Sequence, residues 1–279
     1  MGESSPLASQ SIAASDVRFA GTIPGVYDRY LGFLFEPFAR DLAQRIARIR
    51  PRRILEIAAG TGIATRQILD VLPTESHLTA TDLNEPMLAF AREKFGAEPR
   101  VTFRQADALD LPFSDGEFDA VVCQFGVMFF PDRVKGLREF FRVLKGGGTL
   151  LFNTWDEIDA NPHGKTAHNA MRASFEIDPP AFYQLPFGFH DVAEIRRVVT
   201  AAGFANMEIE TIDMTGETPS AAEAAIGLIG GNPCINVIME RAPERLAEIE
   251  NLAARTLAER YGDKPLRIPL RAHVVSAIA

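Results

Sequence analysis

Apolar residues recur every three or four positions, then in short unbroken runs, then every three or four again, from about residue 36 to residue 155. "EPFARDLAQRIARI" places Phe38, Leu42, Ile46 and Ile49 on one face, with Pro37 near its start, and predicts an amphipathic helix. "RRILEIAAG" is a short apolar strand, and "TGIATRQILDVLP" is a helix with Ile63, Ile68 and Leu72 inward, stopped at Pro73. "HLTATD" is a strand. "NEPMLAFAREKF" is a helix, with Asn84 as its cap and Pro86 in its first turn. "VTFRQAD" and "FDAVVCQFGVMFF" are strands, "PDRVKGLREFFRVLKGGG" a helix ending in glycines, and "TLLFNTW" a fifth strand. Strands that are apolar throughout, rather than alternately, are buried on both faces by helices. The reading is a doubly wound, Rossmann-like α/β domain with a mostly parallel sheet.

The pattern changes after residue 155. Residues 156–189 are polar and loop-like, with Pro162, Pro179, Pro180 and Pro186, and read as a lid or binding loop. "HDVAEIRRVVTAAGF" is a helix with Asp191 and Glu194 at capping-box spacing, and "NMEIETIDM" alternates as a strand. Helical stretches follow near 219–229 and 238–260. "PLRIPLRAHVVSAIA" closes the chain as a last strand, with Pro269 at an edge or bulge position. Residues 1–20 read as a flexible tail and 21–279 as one domain. Within it lie a core over 50–155, a lid over 156–189, and C-terminal helices and strands over 190–279.

The 279 residues carry a formal net charge of −8, so an acidic surface argues against binding long nucleic acid. The arginines at 48, 50, 52 and 53 read as a solvated helix end. Two cysteines, Cys123 and Cys234, suggest neither a disulfide nor a metal site, and a reducing cytoplasm is the simplest compartment. The N-terminus has neither a secretory pattern nor a myristoylation signal, and no apolar run reaches the length of a membrane span.

The chemistry concentrates in "ILEIAAGTGIAT". Gly60 and Gly62 fall where the first strand turns into its helix, where glycine lets a ligand approach the backbone and the helix N-terminus favours an anion. "GTGIAT" is a partial dinucleotide fingerprint, with Thr65 where a third glycine or alanine belongs. Asp82 ends the second strand, 20 residues past Gly62, and a carboxylate there accepts two ribose hydroxyls. NAD enzymes and other adenosine binders both use such an acid. Glu56, before the loop, and Asp107, ending the third strand ahead of Ala108, add further acids. Asp107 suits an exocyclic amine or a cationic ligand and is awkward beside a pyrophosphate, although it could equally cap the turn at 107–110.

"LEIAAGTG", "ATDLNEPML", "QADALDLPF", "FDAVVCQFGVMFFPD" and "VLKGGGTLLFNTW" together resemble the successive motifs of the class I S-adenosylmethionine-dependent methyltransferases, on the small-molecule branch near the ubiquinone and menaquinone C-methylases. The resemblance covers about residues 50–155. It implies a seven-stranded sheet with an antiparallel last strand, and S-adenosyl-L-methionine as cofactor, leaving S-adenosyl-L-homocysteine. Glu56 would orient the glycine loop and help hold the methionine amino group, and Gly60 and Gly62 would pass beneath it. Asp82 would hold the ribose, Leu83 and Met87 would wall the adenine, and Asp107 and the Ala108 N–H would reach its edge. Gln124, Phe125 and Gly126 would lie near the sulfonium, with Tyr27 and Tyr30 as an N-terminal lid. Ala58 replaces the family's first glycine and is expected to keep ordinary strand angles with a shifted loop path.

Methyl transfer from a sulfonium needs alignment more than acid–base help. A base is required only where the nucleophile must lose a proton. His163, His168, His190 and Tyr183 are the candidates for that base or for acceptor contacts. The expected activity is methyl transfer to a small apolar or aromatic metabolite, with oligomeric state unread. An NAD-linked oxidoreductase is one alternative, and a cofactor-binding protein without transfer is the other.

Overall fold

The computed structural model describes residues 18–175 and 177–279; the tail expected over 1–20 lies outside the described residues as far as residue 17. Seven strands form one sheet: β1 (Arg53–Ile57), β2 (His77–Asp82), β3 (Val101–Gln105), β4 (Phe118–Gln124), β5 (Leu144–Trp155), β6 (Asn206–Thr218) and β7 (Leu266–Ile278). Their order is β3-β2-β1-β4-β5-β7-β6. Strands β1 to β5 pair in parallel, and β7 inserts antiparallel between β5 and β6. The order reverses between β1 and β4, so their carboxyl ends open a crevice.

Ten helices surround the sheet among the described residues: α1 (Ile23–Tyr30), α2 (Gly32–Ile49), α3 (Ile63–Val71), α4 (Glu85–Phe95), α5 (Arg133–Val143), α6 (Pro162–Ser174), α7 (Val192–Ala201), α8 (Ala221–Gly230), α9 (Cys234–Arg241) and α10 (Leu246–Tyr261). The apolar strands explain the layers. Ile54, Leu78, Ala120, Val122 and Leu151 pack with Leu42 and Ile46 of α2 and Ile68 of α3. Leu55, Val121, Cys123 and Phe152 point the other way, toward Leu137 and Phe140 of α5 and Val198 of α7. The central strands β1, β4 and the later part of β5 therefore bury both their faces, which is why their residues do not alternate with polar ones, whereas the edge strands β3 and β6 stay largely exposed.

Four local expectations are corrected. The glycines after α5 do not stop it: the helix ends at Val143, and Gly146 to Gly148 already belong to β5, across a register irregularity opposite Phe118 and Ala120. The Gly147 N–H donates to the carbonyl of Ala279, just past β7, and the Ala279 N–H donates to the Gly148 carbonyl. Pro269 lies on an inner strand, but β5 pairs with β7 only from Ala272 onward, so beside the proline β7 has β6 as its one neighbouring strand, locally an edge position. The helical stretch near 238–260 is two helices, α9 and α10, separated at Ala242 and a short 3-10 turn from Pro243.

The fourth concerns residues 156–189, of which Pro162–Ser174 form the helix α6, while the other described residues are turns and short 3-10 segments. Pro162 opens α6, where a proline's missing N–H costs nothing. Ala167, Ala170 and Met171 of α6 are buried, as are Phe182, Tyr183, Phe187 and Phe189 after it. The prolines punctuate a segment whose aromatic residues turn inward and cap the crevice.

Candidate functional site

The crevice holds a cavity of about 380 Å³. Gly60, Asp82, Leu83, Met87, Asp107, Ala108, Gln124, Phe125 and Gly126 line it, so nine of the residues read from sequence come together at the strand ends. Ala58 and Tyr27 line it as well.

Asp82 organises this region. It is buried at the end of β2, and one carboxylate oxygen accepts the Gly60 N–H at 2.9 Å while the other accepts the Asn84 N–H at 2.8 Å. Burial raises its pKa, partly offset by those hydrogen bonds. Gly60 has φ +58° and borders the cavity, with Met87 beside it. Gly62, at φ +81°, has a different reason to be glycine: a Cβ there would come within 2.6 Å of the Phe95 ring. It supports α4 against the loop and does not border the cavity.

Glu56 sits one layer below. It is 2% exposed, and its carboxylate accepts the Thr65 hydroxyl at 2.7 Å. Burial pushes its pKa up to about 8, against the Thr65 bond, and the nearby Asp82 charge adds to the rise. Thr65 thus stands where a third glycine was expected because its hydroxyl ties α3 to the acid of β1. Neither side chain borders the cavity; they brace the loop.

Ala58 corrects its expectation. It adopts φ +55°, in the left-handed region, and not ordinary strand angles. The turn demands the conformation that glycine favours, and alanine carries a strain of order 1–3 kcal/mol there. Its methyl has a counterpart across the cavity floor. A Cβ on Gly126 would lie 2.6 Å from the Ala58 Cβ and 2.6 Å from the Cys123 sulfur. Gly126 thus has no room for a side chain between Ala58 and Cys123.

Asp107 is exposed, and its carboxylate accepts the Leu109 N–H at 2.9 Å, so it turns the chain at 107–110 while bordering the cavity. The turn-capping expectation thus holds, at a position on the cavity wall. Leu83 is 54% exposed, an apolar wall facing open space. Gln124 donates its amide to the Phe35 carbonyl at 3.1 Å, which fixes the side chain and leaves its buried Oε1 without a partner.

A second, inner chamber of about 50 Å³ adjoins the first. Phe19, Tyr27, Phe125 and Phe129 line both. The inner walls are aromatic: Phe125 stacks on Trp155 at 4.0 Å between ring centres, and Phe35 stacks on Tyr27 at 5.1 Å. His163 and Tyr183 line this chamber. The other two histidines do not. His168 is half-buried on α6 away from both spaces, and His190 is exposed, with Nδ1 bonded to the Phe187 carbonyl at 2.7 Å. Tyr30 also lies apart, on an outer groove with the Arg29 guanidinium over its ring, whereas Tyr27 is partly buried between the two spaces. Burial and the Asp82 charge raise the Tyr27 pKa and keep the phenol neutral.

Sequence reasoning missed Asn84 and Phe19. Asn84 is not the side-chain cap of α4; its Oδ1 accepts the Phe19 N–H at 3.1 Å and so fastens the segment before α1 beside Asp82. Lys94 makes a second tie, to the Asp28 carboxylate at 2.6 Å and the Thr61 carbonyl at 3.2 Å. The chamber's Phe35, Phe129, and the pair Phe182 and Phe187 come from three separate segments. The one available signal was composition, 20 phenylalanines in 279 residues.

Comparison with known proteins places this geometry. Residues 55–152 match the family described as "Methyltransferase domain". A demethylmenaquinone methyltransferase of Clavibacter sepedonicus is 41% identical over 106 residues, 38% of this chain and 42% of that protein. A ubiquinone/menaquinone biosynthesis C-methyltransferase of Methylobacterium nodulans is 36% identical over 172 residues, 59% of this chain and 67% of that protein. Among solved structures, the [4+2]-cyclase SpnF shares the fold with a TM-score of 0.55 at 20% identity, covering 87% of this chain and 80% of the cyclase. The matched stretch spans between about two fifths and two thirds of the two curated relatives. The chain belongs to the class I S-adenosylmethionine-dependent methyltransferases, alongside the ubiquinone/menaquinone C-methyltransferases.

Proposed function

We propose that the protein transfers a methyl group from S-adenosyl-L-methionine to a small, ring-bearing acceptor. The observation that carries this reading is the pair of adjoining spaces, one lined by carboxylates and glycine backbone, the other by aromatic rings, with Phe19, Tyr27, Phe125 and Phe129 shared between them.

The residues fit the cofactor. Asp82 would take the ribose hydroxyls, Asp107 and the Ala108 N–H the adenine edge, and Leu83 and Met87 the adenine faces. The unpartnered Gln124 Oε1 supplies a buried acceptor of the kind an ammonium satisfies. Bound there, the cofactor supplies an electrophilic methyl group whose leaving group is a neutral thioether. The chain's part is alignment and exclusion of water, which Phe125, Trp155 and the cap provide. The relatives are named for demethylmenaquinone and for ubiquinone/menaquinone biosynthesis, so a quinone-related ring methylated on carbon is the acceptor class they suggest.

The compartment proposed is the cytoplasm: both cysteines are free and buried, and no single described helix is long and apolar enough to cross a membrane. The second reading, a cofactor-holding protein without methyl transfer, is not favoured by the curated relatives, which are named as methyltransferases. Thermal unfolding with S-adenosylmethionine, S-adenosylhomocysteine, NAD and NADP tests the first step. Ligand at 100 times its Kd stabilises by about 2.7 kcal/mol, a rise of roughly 5–10 °C for this size. A rise with the adenosyl-sulfur pair alone is expected, and a rise with a nicotinamide cofactor alone would remove the reading. Transfer of a labelled methyl group across quinol, phenol and amine acceptors separates the enzyme from the second reading.

A further inference from the structure

The inner chamber holds one polar group that the fold leaves unanswered. His163 is 2% exposed at the start of α6, against Trp155 at 4.8 Å and Phe187 at 5.7 Å between ring centres. Among the described residues its Nδ1 is buried without a hydrogen-bond partner. The neighbouring polar groups are committed elsewhere. The Tyr183 hydroxyl donates to the Leu228 carbonyl at 2.7 Å, and the Asn232 amide donates to that same carbonyl at 3.0 Å and to the Tyr183 oxygen at 3.3 Å.

A buried polar atom with no partner is destabilising, and an apolar side chain of the same shape would be neutral or better. The imidazole is thus set where the fold itself gains nothing from it. Burial also holds its pKa down to about 3, so it stays neutral and keeps a lone pair available. A hydroxyl both donates and accepts, and satisfies an imidazole nitrogen in either tautomer.

We propose that His163 binds the acceptor through a ring hydroxyl, making it the group that selects hydroxyl-bearing rings and sets their orientation toward the wall shared with the cofactor space. The inference rests on the reading that the inner chamber receives the acceptor. The order of the rings supports the geometry: Phe125 borders the cofactor space, Trp155 stacks on Phe125, and His163 lies against Trp155. A ring held at His163 lies along that stack. The chamber's volume of about 50 Å³ is smaller than such a ring, so occupancy widens it by moving the aromatic walls.

Trp155 is the only tryptophan in the chain and lines the chamber, so its fluorescence reports occupancy directly. Phenol and toluene, alike in shape, are the probes, each titrated with and without saturating S-adenosylhomocysteine. The ratio of phenol to toluene affinity is measured for the wild type, His163→Phe and His163→Gln. One hydrogen bond corresponds to a ratio about tenfold higher in the wild type than in His163→Phe, with His163→Gln retaining most of it. An unchanged ratio in His163→Phe, or no response of Trp155 to phenol, overturns the inference. Should His163→Phe fail to fold, the nitrogen-15 resonance of His163 Nδ1 in the wild type decides: it moves with phenol and not with toluene, and a static resonance sinks the proposal. A lack of thermal stabilisation by S-adenosylhomocysteine would instead count against the methyltransferase reading. Stabilisation without a phenol preference counts against His163 alone.

Discussion

The two adjoining spaces are built on different principles. The outer one is made by backbone: Asp82 gathers the Gly60 and Asn84 N–H groups, Glu56 anchors Thr65, and glycines occupy positions where a side chain would collide or strain. The inner one is made by side chains, with aromatic rings from separate segments stacked edge and face. A backbone site is defined by a few hydrogen bonds and breaks when one is removed. A side-chain site is defined by volume and adapts.

The largest effect that would expose this difference is Asp82→Ala. It removes the acceptor of two backbone N–H groups and, on the proposed reading, both ribose contacts. S-adenosylhomocysteine affinity should fall at least tenfold by calorimetry, since hydrogen bonds to a charged group are worth roughly 1.5–3 kcal/mol each. Phe129→Leu, on the shared wall, should change it by less than about threefold. Equal losses would erase the distinction between the two kinds of site.

The spaces also respond to pH in opposite directions. Glu56 has a folded pKa of about 8 against an ordinary 4.5, so the protein free of cofactor binds its proton more tightly when folded. Its contribution is complete below about pH 4.5 and is lost as pH rises toward 8. His163 has a folded pKa of about 3 against 6.5, so its contribution is present above pH 6.5 and is lost as pH falls toward 3. Each limb has a limiting slope of about 1.4 kcal/mol per pH unit. Denaturant unfolding across pH should show Glu56→Gln flattening the alkaline limb and His163→Gln the acid limb. A variant that flattens the wrong limb would mean its group's burial is misjudged.

That contrast explains what could be read from residues alone. The glycine loop, Asp82 and Asp107 each carry local requirements, a turn or an acid at a strand end, and such requirements leave marks at fixed spacing. The parallel strands declared themselves as unbroken apolar runs. Thr65 was misread because its role depends on Glu56, 9 residues away and met only in space. Asn84 looked like a helix cap because Asn before Glu-Pro is one; its true partner, Phe19, is 65 residues distant. Residues 156–189 looked like a loop because four prolines and several charges outweighed aromatic residues with no helical or strand period. Packing of that kind has no one-dimensional signature, so the chamber became visible only when folded.

A smaller effect separates strain from packing at the floor of the outer space. Gly126→Ala would push a methyl into Ala58 and Cys123, and overpacking of this sort costs about 1–3 kcal/mol. Ala58→Gly removes one of the two obstructing atoms and also relieves φ +55°. The double variant should therefore recover a good part of the melting temperature lost by Gly126→Ala. Additive effects would mean that Cys123 alone sets the requirement for glycine.

The smallest effect falls on Leu83. Its side chain is 54% exposed and contributes little to the fold, so Leu83→Ser should leave the melting temperature of the free protein nearly unchanged. The same side chain walls the outer space beside Asp82, where an adenine would cover it. Covering an exposed leucine removes apolar area from water, worth at most about 1.5–3 kcal/mol for the whole side chain, and about half of it is already covered. S-adenosylhomocysteine affinity should thus fall only severalfold, with a smaller loss for ring-opened analogues that cover less of the wall. Loss of stability with unchanged affinity would reverse the assignment and make Leu83 a structural residue of the loop. Unchanged stability with weakened binding would show the outer space using an apolar side chain for its ligand, as the inner chamber does.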